Sequence, residues 1–389
     1  MKIDKTKPSH WLLLALQGLY CVVVIVLRPW TRKPVKPIVI LYGHQLSGNL
    51  GALYQGWRDN GAQDFNIYYL SLDPEQSREL KAQGIEVLQC NKLVDMLVLC
   101  RATTIVCDHG LHLLEPLVYL SNIKFIDVWH GIPFKGFDSA DFRLQHYFDE
   151  TWVTSALLRK TYIDKFGFNP DRTLILGYAR TDKLFNNSLP GNDFRKLVSI
   201  PQECKIILYA PTWKQDEKGR KLFPFGESEK AFISALNDVC EKNQAKLIIR
   251  SHLNASIDEE HFPNVIYCPQ KTFSNTEDLL LISNILICDW SSIAFDFLAT
   301  GRPTIFLDVP PPFSKGFSLG KEYRFGEVVK TINDLTHKLH QYLSSPELYT
   351  EEHGDMSEKV KGDVYGENQD GRAVERQLTR LRKIAGLES

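Results

Sequence analysis

Short runs of β-branched and aliphatic residues, separated by stretches of helical length, recur along this chain in two successive series. This alternation restricts the fold more than any other feature. The first series opens with Ile38-Val-Ile-Leu-Tyr42 and continues through residues 65–70, 85–89, 104–107, 123–128, 151–154 and 173–176. Helix-like segments intervene, among them residues 49–60 and a polar stretch from Pro74. The second series starts at Lys205-Ile-Ile-Leu-Tyr-Ala210 and runs through residues 246–249, 265–268, 285–288 and 304–307. Apolar runs this short, bounded by turn residues, read as buried strands, and strands alternating with helices build parallel, doubly wound sheets. The expectation is an α/β protein of two Rossmann-like domains, and 389 residues suit two ordinary cores. The polar, helix-breaking stretch 186–193 places the boundary, giving domains 38–187 and 188–368, with 1–37 before them and a charged amphipathic helix within 369–389 after them.

The amino terminus departs from this pattern. Residues 11–27 carry no charge, tryptophans stand at 11 and 30, lysines at 2, 5 and 7 precede the run, and Arg28, Arg32, Lys33 and Lys36 follow it. The run is slightly shorter than the roughly 20 residues of a full span, and tilt and interfacial tryptophans can make up the difference. No small-residue cleavage site follows, so the segment reads as an uncleaved, membrane-associating helix, with a buried core helix as the competing reading. The stronger basic cluster on the body side favours a body at the cytoplasmic face of the cell inner membrane. A net charge of −1 gives no reason to expect nucleic acid as a partner. Eight cysteines without a CxxC pair point to buried free thiols rather than disulfides or zinc.

In open α/β sheets ligands bind beyond the carboxyl ends of the strands, so polar residues there are the candidates for chemistry. Asp127-Val-Trp-His-Gly-Ile-Pro-Phe-Lys135 delivers His130 from a strand into a loop. An imidazole can take a proton from a hydroxyl near neutral pH; the structural alternative is a ring satisfied by neighbouring backbone. In Tyr209-Ala-Pro-Thr-Trp-Lys214, Pro211 stops the strand and Thr212 offers a hydroxyl and a backbone donor. Ile248-Ile-Arg-Ser-His252 brings a cation and a second imidazole together. In Cys288-Asp-Trp-Ser-Ser-Ile-Ala-Phe-Asp296, Ser291 or Ser292 is placed to cap a helix whose amino terminus could seat a phosphate, with plain capping as the alternative. Arg180, in Gly177-Tyr-Ala-Arg-Thr-Asp182, can neutralise a phosphate or form an ordinary surface ion pair.

This inventory suits a diphosphate leaving group. The first strand turn, Tyr42-Gly-His-Gln-Leu-Ser-Gly-Asn49, lacks the dinucleotide fingerprint, and no P-loop is present. Ser314-Lys-Gly-Phe-Ser318 lacks a nucleophile elbow, and the spacing in Asp108-His-Gly-Leu-His112 is not diagnostic of a metal. Neither a metal nor a cofactor is expected.

Taken in chain order, Trp129-His130-Gly131 with Pro133, Gly177-Tyr178 with Arg180 and Asp182, Tyr209-Ala-Pro-Thr-Trp213, Arg250 with His252, and Asp289 with Ser291, Ser292 and Asp296 resemble the motifs of the CDP-glycerol glycerophosphotransferases of teichoic acid synthesis. The resemblance covers about residues 38–329. It implies a GT-B-like fold with a cleft between the domains. It also implies transfer of glycerol phosphate from CDP-glycerol, or a similar CDP-alcohol, to a hydroxyl of a lipid-linked acceptor. CMP would be released, in the synthesis of a teichoic-acid-like or capsular polymer at the membrane surface. The implied donor contacts are Trp129, His130, Gly131, Ile132 and Pro133, then Arg180, then Pro211 and Thr212. Arg250, Ser251 and His252 follow, and Ser291, Ser292 and Asp296 complete them. His130 and His252 are the implied catalytic residues, His130 accepting the acceptor's proton and His252 steadying departing CMP. Ser251 stands where the family commonly has proline, and Trp290 where it has tyrosine. A GT-B glycosyltransferase using a nucleotide sugar and a non-catalytic, membrane-tethered nucleotide-binding protein are the alternative readings. Glycerol against ribitol, and self-association, stay open.

Overall fold

The structure, a computed structural model, describes residues 4, 6–61, 64–188, 193–212, 223–250, 262–269, 273 and 275–387. It divides into two units, one of Met1–His130, Asp138–Arg180 and Arg372–Ser389, the other of Gly131–Phe137 and Thr181–Gly371. Each unit carries one all-parallel sheet.

In the first unit the strands are β1 (Ile38–Tyr42), β2 (Asn66–Ser71), β3 (Val87–Gln89), β4 (Thr104–Cys107), β5 (Lys124–Asp127), β6 (Glu150–Val153) and β7 (Thr173–Ile175), in spatial order β3-β2-β1-β4-β5-β6-β7. All five residues of β1 are buried, as a central strand covered on both faces requires, so its sequence is continuously apolar rather than alternating. The side chains still alternate. Ile38, Ile40 and Tyr42 enter one core, while Val39 and Leu41 enter the other on the opposite face of the sheet.

Each core is closed by a terminal helix. On the first face lies α1 (Pro8–Leu27), which starts with proline at its first turn and contributes Cys21 and Val24 to the core shared with Ile40 and Tyr42. On the second lies the helix Ala373–Ile384, whose Leu378 and Leu381 pack with Leu53 and Phe65. Its polar side is also engaged. Gln377 donates to the carbonyl of Gly177 at 2.8 Å, and Arg380 pairs with Glu150. Gly56 admits this helix, because a Cβ there would lie 2.2 Å from Val374 Cγ1.

The expected division at 187/188 with separate terminal segments is therefore corrected. The chain leaves the first unit after Arg180, and both 1–37 and the carboxy-terminal helix belong to that unit. Amphipathic periodicity identifies the helix, but not which of two sheets its apolar stripe covers.

In the second unit the strands are β8 (Lys205–Ala210), β9 (Ala245–Ile249), β10 (Val265–Tyr267), β11 (Ile285–Cys288), β12 (Thr304–Leu307) and β13 (Glu327–Val329), in order β10-β9-β8-β11-β12-β13. Both sheets thus reverse direction beside their first strand, at β1/β4 and β8/β11. All eight cysteines are free thiols, and all but Cys204 are buried.

Candidate active site

In the first sheet β4 lies between β1 and β5, with Tyr42 paired to Cys107 and Cys107 to Asp127. Register therefore brings three loops together just past the strand ends, at the order reversal where ligands bind in such sheets. The loops carry His44, Asp108 with His109, and His130. Ring centroids of His109 and His130 are 4.5 Å apart with planes 11° from parallel, and His44 lies 4.4 Å from His109.

His130 Nδ1 lies 3.1 Å from the main-chain oxygen of Asp108. A carbonyl can only accept, so Nδ1 carries the proton and Nε2 presents its lone pair. Desolvation, then the neighbouring His109, lowers the His130 pKa to about 3. The ring keeps an exposed edge that water reaches, and it is a neutral imidazole near pH 7. At His109, burial pulls the pKa down, but the Asp108 carboxylate 2.7 Å from Nδ1 outweighs it by charge and hydrogen bond, and the net shift is upward. His112 is pushed down to about 4 by burial and bonds the Tyr42 hydroxyl at 2.8 Å. One ring nitrogen of each, Nδ1, is thus engaged within the protein.

Arg180 is 9% exposed, and its Nη1 donates to the main-chain oxygen of His130 at 2.7 Å. The structure thus brings His130 and Arg180 together at one end of one sheet. The sequence does not single out His44 and Asp108, and it considers His109 only as a metal ligand. The signal was present, since Gly43-His44 and Asp108-His109 follow the two strands that flank the reversal. Trp129 is buried against Phe142, with centroids 4.9 Å apart, and packs on His130 rather than opening to a ligand.

The second unit tells a different story. Ile132 is fully buried, and Gly131 and Pro133 are also buried, so a side-chain contact from Ile132 to a ligand is excluded in this conformation. Thr212 follows β8 as expected, but both its N–H, at 2.9 Å, and its hydroxyl bond Asp289 Oδ1. Those two donors are thus occupied. Arg250 is buried too, donating to the carbonyls of Cys268 (3.3 Å) and Phe273 and to Thr276 Oγ1 (2.9 Å). Desolvation lowers its pKa to about 10.

The expected serine cap is made by Ser291 alone, at the long limit of a hydrogen bond. Ser292 occupies the N-cap of the six-residue helix Ile293–Leu298 in a helical conformation with no side-chain cap bond, and Ser291 Oγ lies 3.5 Å from the N–H of Ile293. A helix this short offers little dipole, so Ser291 and Ser292 stand as half-buried hydroxyls, and Asp296 is buried on the helix itself. Pro211 ends β8 and is half-buried. Ser251 and His252 lie outside the described residues. Among the described residues, Glu327, Glu352 and His353 are spaced to hold an ion, but Lys338 Nζ already lies 3.1 Å from Glu327 and 2.8 Å from Glu352.

A family model described as CDP-Glycerol:Poly(glycerophosphate) glycerophosphotransferase matches residues 25–383. The teichoic acid poly(glycerol phosphate) polymerase of Bacillus subtilis (strain 168) is 27% identical over 350 residues, covering 82% of this chain and 45% of that protein. The teichoic acid glycerol-phosphate transferase of Staphylococcus aureus (strain NCTC 8325 / PS 47) is 31% identical over 203 residues, covering 47% of this chain and 51% of that protein. The chain thus spans about half the length of these curated relatives. A solved structure of the wall teichoic acid polymerase TagF matches with a TM-score of 0.74 at 18% identity, over 98% of this chain and 97% of that one. The UDP-GlcNAc 2-epimerase from Neisseria meningitidis bound to UDP-GlcNAc matches with a TM-score of 0.58 at 14% identity, over 89% and 100%. At these identities the likeness establishes the fold, a GT-B-like arrangement of two Rossmann-like units.

Proposed function

Because the chain belongs to the CDP-glycerol:poly(glycerophosphate) glycerophosphotransferase family, we propose that it transfers glycerol phosphate from CDP-glycerol to a hydroxyl of a lipid-linked acceptor in teichoic-acid-type polymer synthesis. The observation that carries the proposal is the His130 imidazole, held by Asp108 with its Nε2 lone pair available past the strand ends. The acceptor hydroxyl loses its proton to His130 Nε2 as its oxygen forms a bond to the glycerol-bearing phosphorus. The bond from that phosphorus to CMP breaks, and CMP departs with the electron pair. Arg180 supplies positive charge beside His130, and positioning plus charge stabilisation suffices without a covalent intermediate. His252 is assigned to the leaving group on the family resemblance.

The test incubates the full chain with CDP-glycerol and lipid-linked acceptors and follows products by mass spectrometry. The acceptor should gain one or more glycerol phosphates, with one CMP released for each. A nucleoside diphosphate from a sugar donor would replace this reading with glycosyl transfer, and binding without turnover across the acceptors would replace it with a non-catalytic role.

We further propose that α1 lies along the cytoplasmic surface of the membrane rather than crossing it. Its length, about 30 Å at 1.5 Å per residue, would suffice for a span. Burial argues otherwise. Gln17 is fully buried, donating to the Tyr42 hydroxyl at 2.9 Å and accepting the N–H of Leu113 at 3.2 Å, and Gly18 lets Leu113 approach. A span would strip this glutamine of its partners and expose one core of the unit. The opposite side of α1 shows Trp11, Leu12, Leu19, Val22 and Val26, each more than half exposed, with Leu120 exposed on the neighbouring helix Pro116–Leu120. Arg32, Lys33 and Lys36 are exposed and complement anionic headgroups, whereas Arg28 is engaged with Asn122 and the carbonyl of Cys100. Replacing Leu12, Leu19 and Val22 by glutamate should release the protein from anionic vesicles in flotation assays while its melting temperature holds. Retention that resists both this change and alkaline carbonate would instead indicate a span.

A further inference from the structure

We infer that Asn49 is a positioning residue for the reaction, an inference that rests on the reading that His130 carries the proton. Asn49 is the second residue of α2 (Gly48–Asp59) and is 2% exposed. Its Nδ2 donates to the carbonyls of Val128 and Trp129, both at 2.9 Å, and its Oδ1 accepts the main-chain N–H of Arg180 at 3.2 Å. One primary amide thus makes three bonds, every one to backbone and every one to a segment bearing a candidate catalytic side chain. Arg180 Nη1 closes the circuit by donating to the oxygen of His130.

The clamp has something to hold. Trp129 sits at φ +43°, a left-handed conformation that a bulky aromatic residue rarely adopts. This residue aims the imidazole, because relaxation of its φ toward negative values would swing His130 off the Asp108 carbonyl and away from His109. Both carbonyls that Asn49 grips belong to the peptide units on either side of that strained residue. The chain also leaves the first unit twice nearby, after His130 and after Arg180, and the one side chain ties both exits.

Proton transfer depends steeply on placement, and a shift of about 1 Å costs on the order of 100-fold in rate. Asn49→Asp is the discriminating change. It keeps the volume and can still accept from Arg180, but it turns two donated bonds into oxygen facing oxygen. Asn49→Ala removes all three bonds.

The experiment measures full-chain Asn49→Asp and Asn49→Ala with CDP-glycerol and acceptor, with His130→Ala as control. It adds ¹⁵N imidazole spectra, in which the His130 signal is the one His130→Ala removes. The expected result is a kcat per folded molecule about 100-fold lower and a KM for CDP-glycerol within about threefold, alongside a lowered melting temperature, because buried backbone groups lose their partners. The His130 signal should also shift away from the pure Nδ1–H tautomer. A merely structural role would lower the melting temperature and the active fraction while leaving kcat per folded molecule and the tautomer alone, and that outcome overturns the inference. Should either variant fail to fold, Asn49→Ser is read in the same way. Wild-type kcat and tautomer in any folded variant refute the role of Asn49 if His130→Ala is inactive. If His130→Ala itself retains turnover, the reading of His130 falls instead, and the tautomer signal alone decides whether Asn49 orients the ring.

Discussion

Replacing His130 by alanine is expected to lower turnover of CDP-glycerol by about 100- to 10,000-fold, the usual contribution of a general base, with little change in melting temperature. The ring lies at the exposed end of its loop, so its loss opens no core cavity. A pH profile sharpens the expectation. Desolvation, His109, Arg180 and His44 all lower the imidazole pKa in the free protein, leaving it at about 3. Such a base is always available but weak, since general-base efficiency is greatest when the pKa lies near the working pH. A bound diphosphate donor brings negative charge beside the ring and raises the pKa, as a neighbouring anion does for any cationic acid. The acid limb of kcat, which reports the substrate complex, should therefore lie at higher pH than the acid limb of kcat/KM, which reports the free enzyme. Near wild-type turnover in the alanine variant, or acid limbs in the reverse order, would remove His130 from its role.

Much of this site was legible because strand ends are legible. Asp127 to His130 and Gly177 to Arg180 each follow an apolar run, and the sheets place them as alternation requires. Spatial order was not legible. His44 and His109 gain meaning only when β1 and β4 are neighbours, and nothing local in either loop states this. Asn49 was hidden more deeply, since its amide reaches residues 79 and 131 positions along the chain. Thr212 and Arg250 show a different limit. Sequence places them at strand ends, but the buried Asp289 carboxylate and the carbonyls of Cys268 and Phe273 need donors, and the nearest polar side chains supply them. The serine pair caps only weakly, because Ser292 is already in helical conformation and Ser291 Oγ alone reaches the first helical N–H, at 3.5 Å. At the amino terminus, uncharged residues in sequence could not distinguish a helix facing lipid on all sides from one that buries Gln17 and Cys21 in a protein core.

Asp127 yields the largest expected effect on stability, and it acts through pH. It closes β5 with its side chain fully buried, accepts the N–H of Trp129 on Oδ1 at 3.4 Å, and has no hydrogen-bond partner for Oδ2 among the described residues. Desolvation raises its pKa from 3.8 to about 7; the Asp108 carboxylate adds to the rise, while the Trp129 N–H and His109 oppose it. Between those two values the folded chain holds a proton that the unfolded chain has released. Raising the pH through this window therefore costs stability. The penalty is absent below about pH 3.8 and complete above about pH 7. A shift of this size corresponds to about 4 kcal/mol at 1.36 kcal/mol per unit, an order-of-magnitude figure. An asparagine side chain does not titrate, so Asp127→Asn should remove the slope. The new amide would still lack a partner on the Oδ2 side, a cost of about 1–3 kcal/mol that does not vary with pH. The expected result is a variant progressively more stable relative to the parent as pH rises from about 4 to about 8. Hydrogen exchange read by mass spectrometry should show the gain at β4 and β5 and not in the second unit, which keeps the comparison free of any two-state assumption for the whole chain. Parallel curves for parent and variant would mean that the carboxyl is relieved by a group outside this cluster. Divergence would mean that, below about pH 7, the strand leading to the His130 loop is held by a neutral acid.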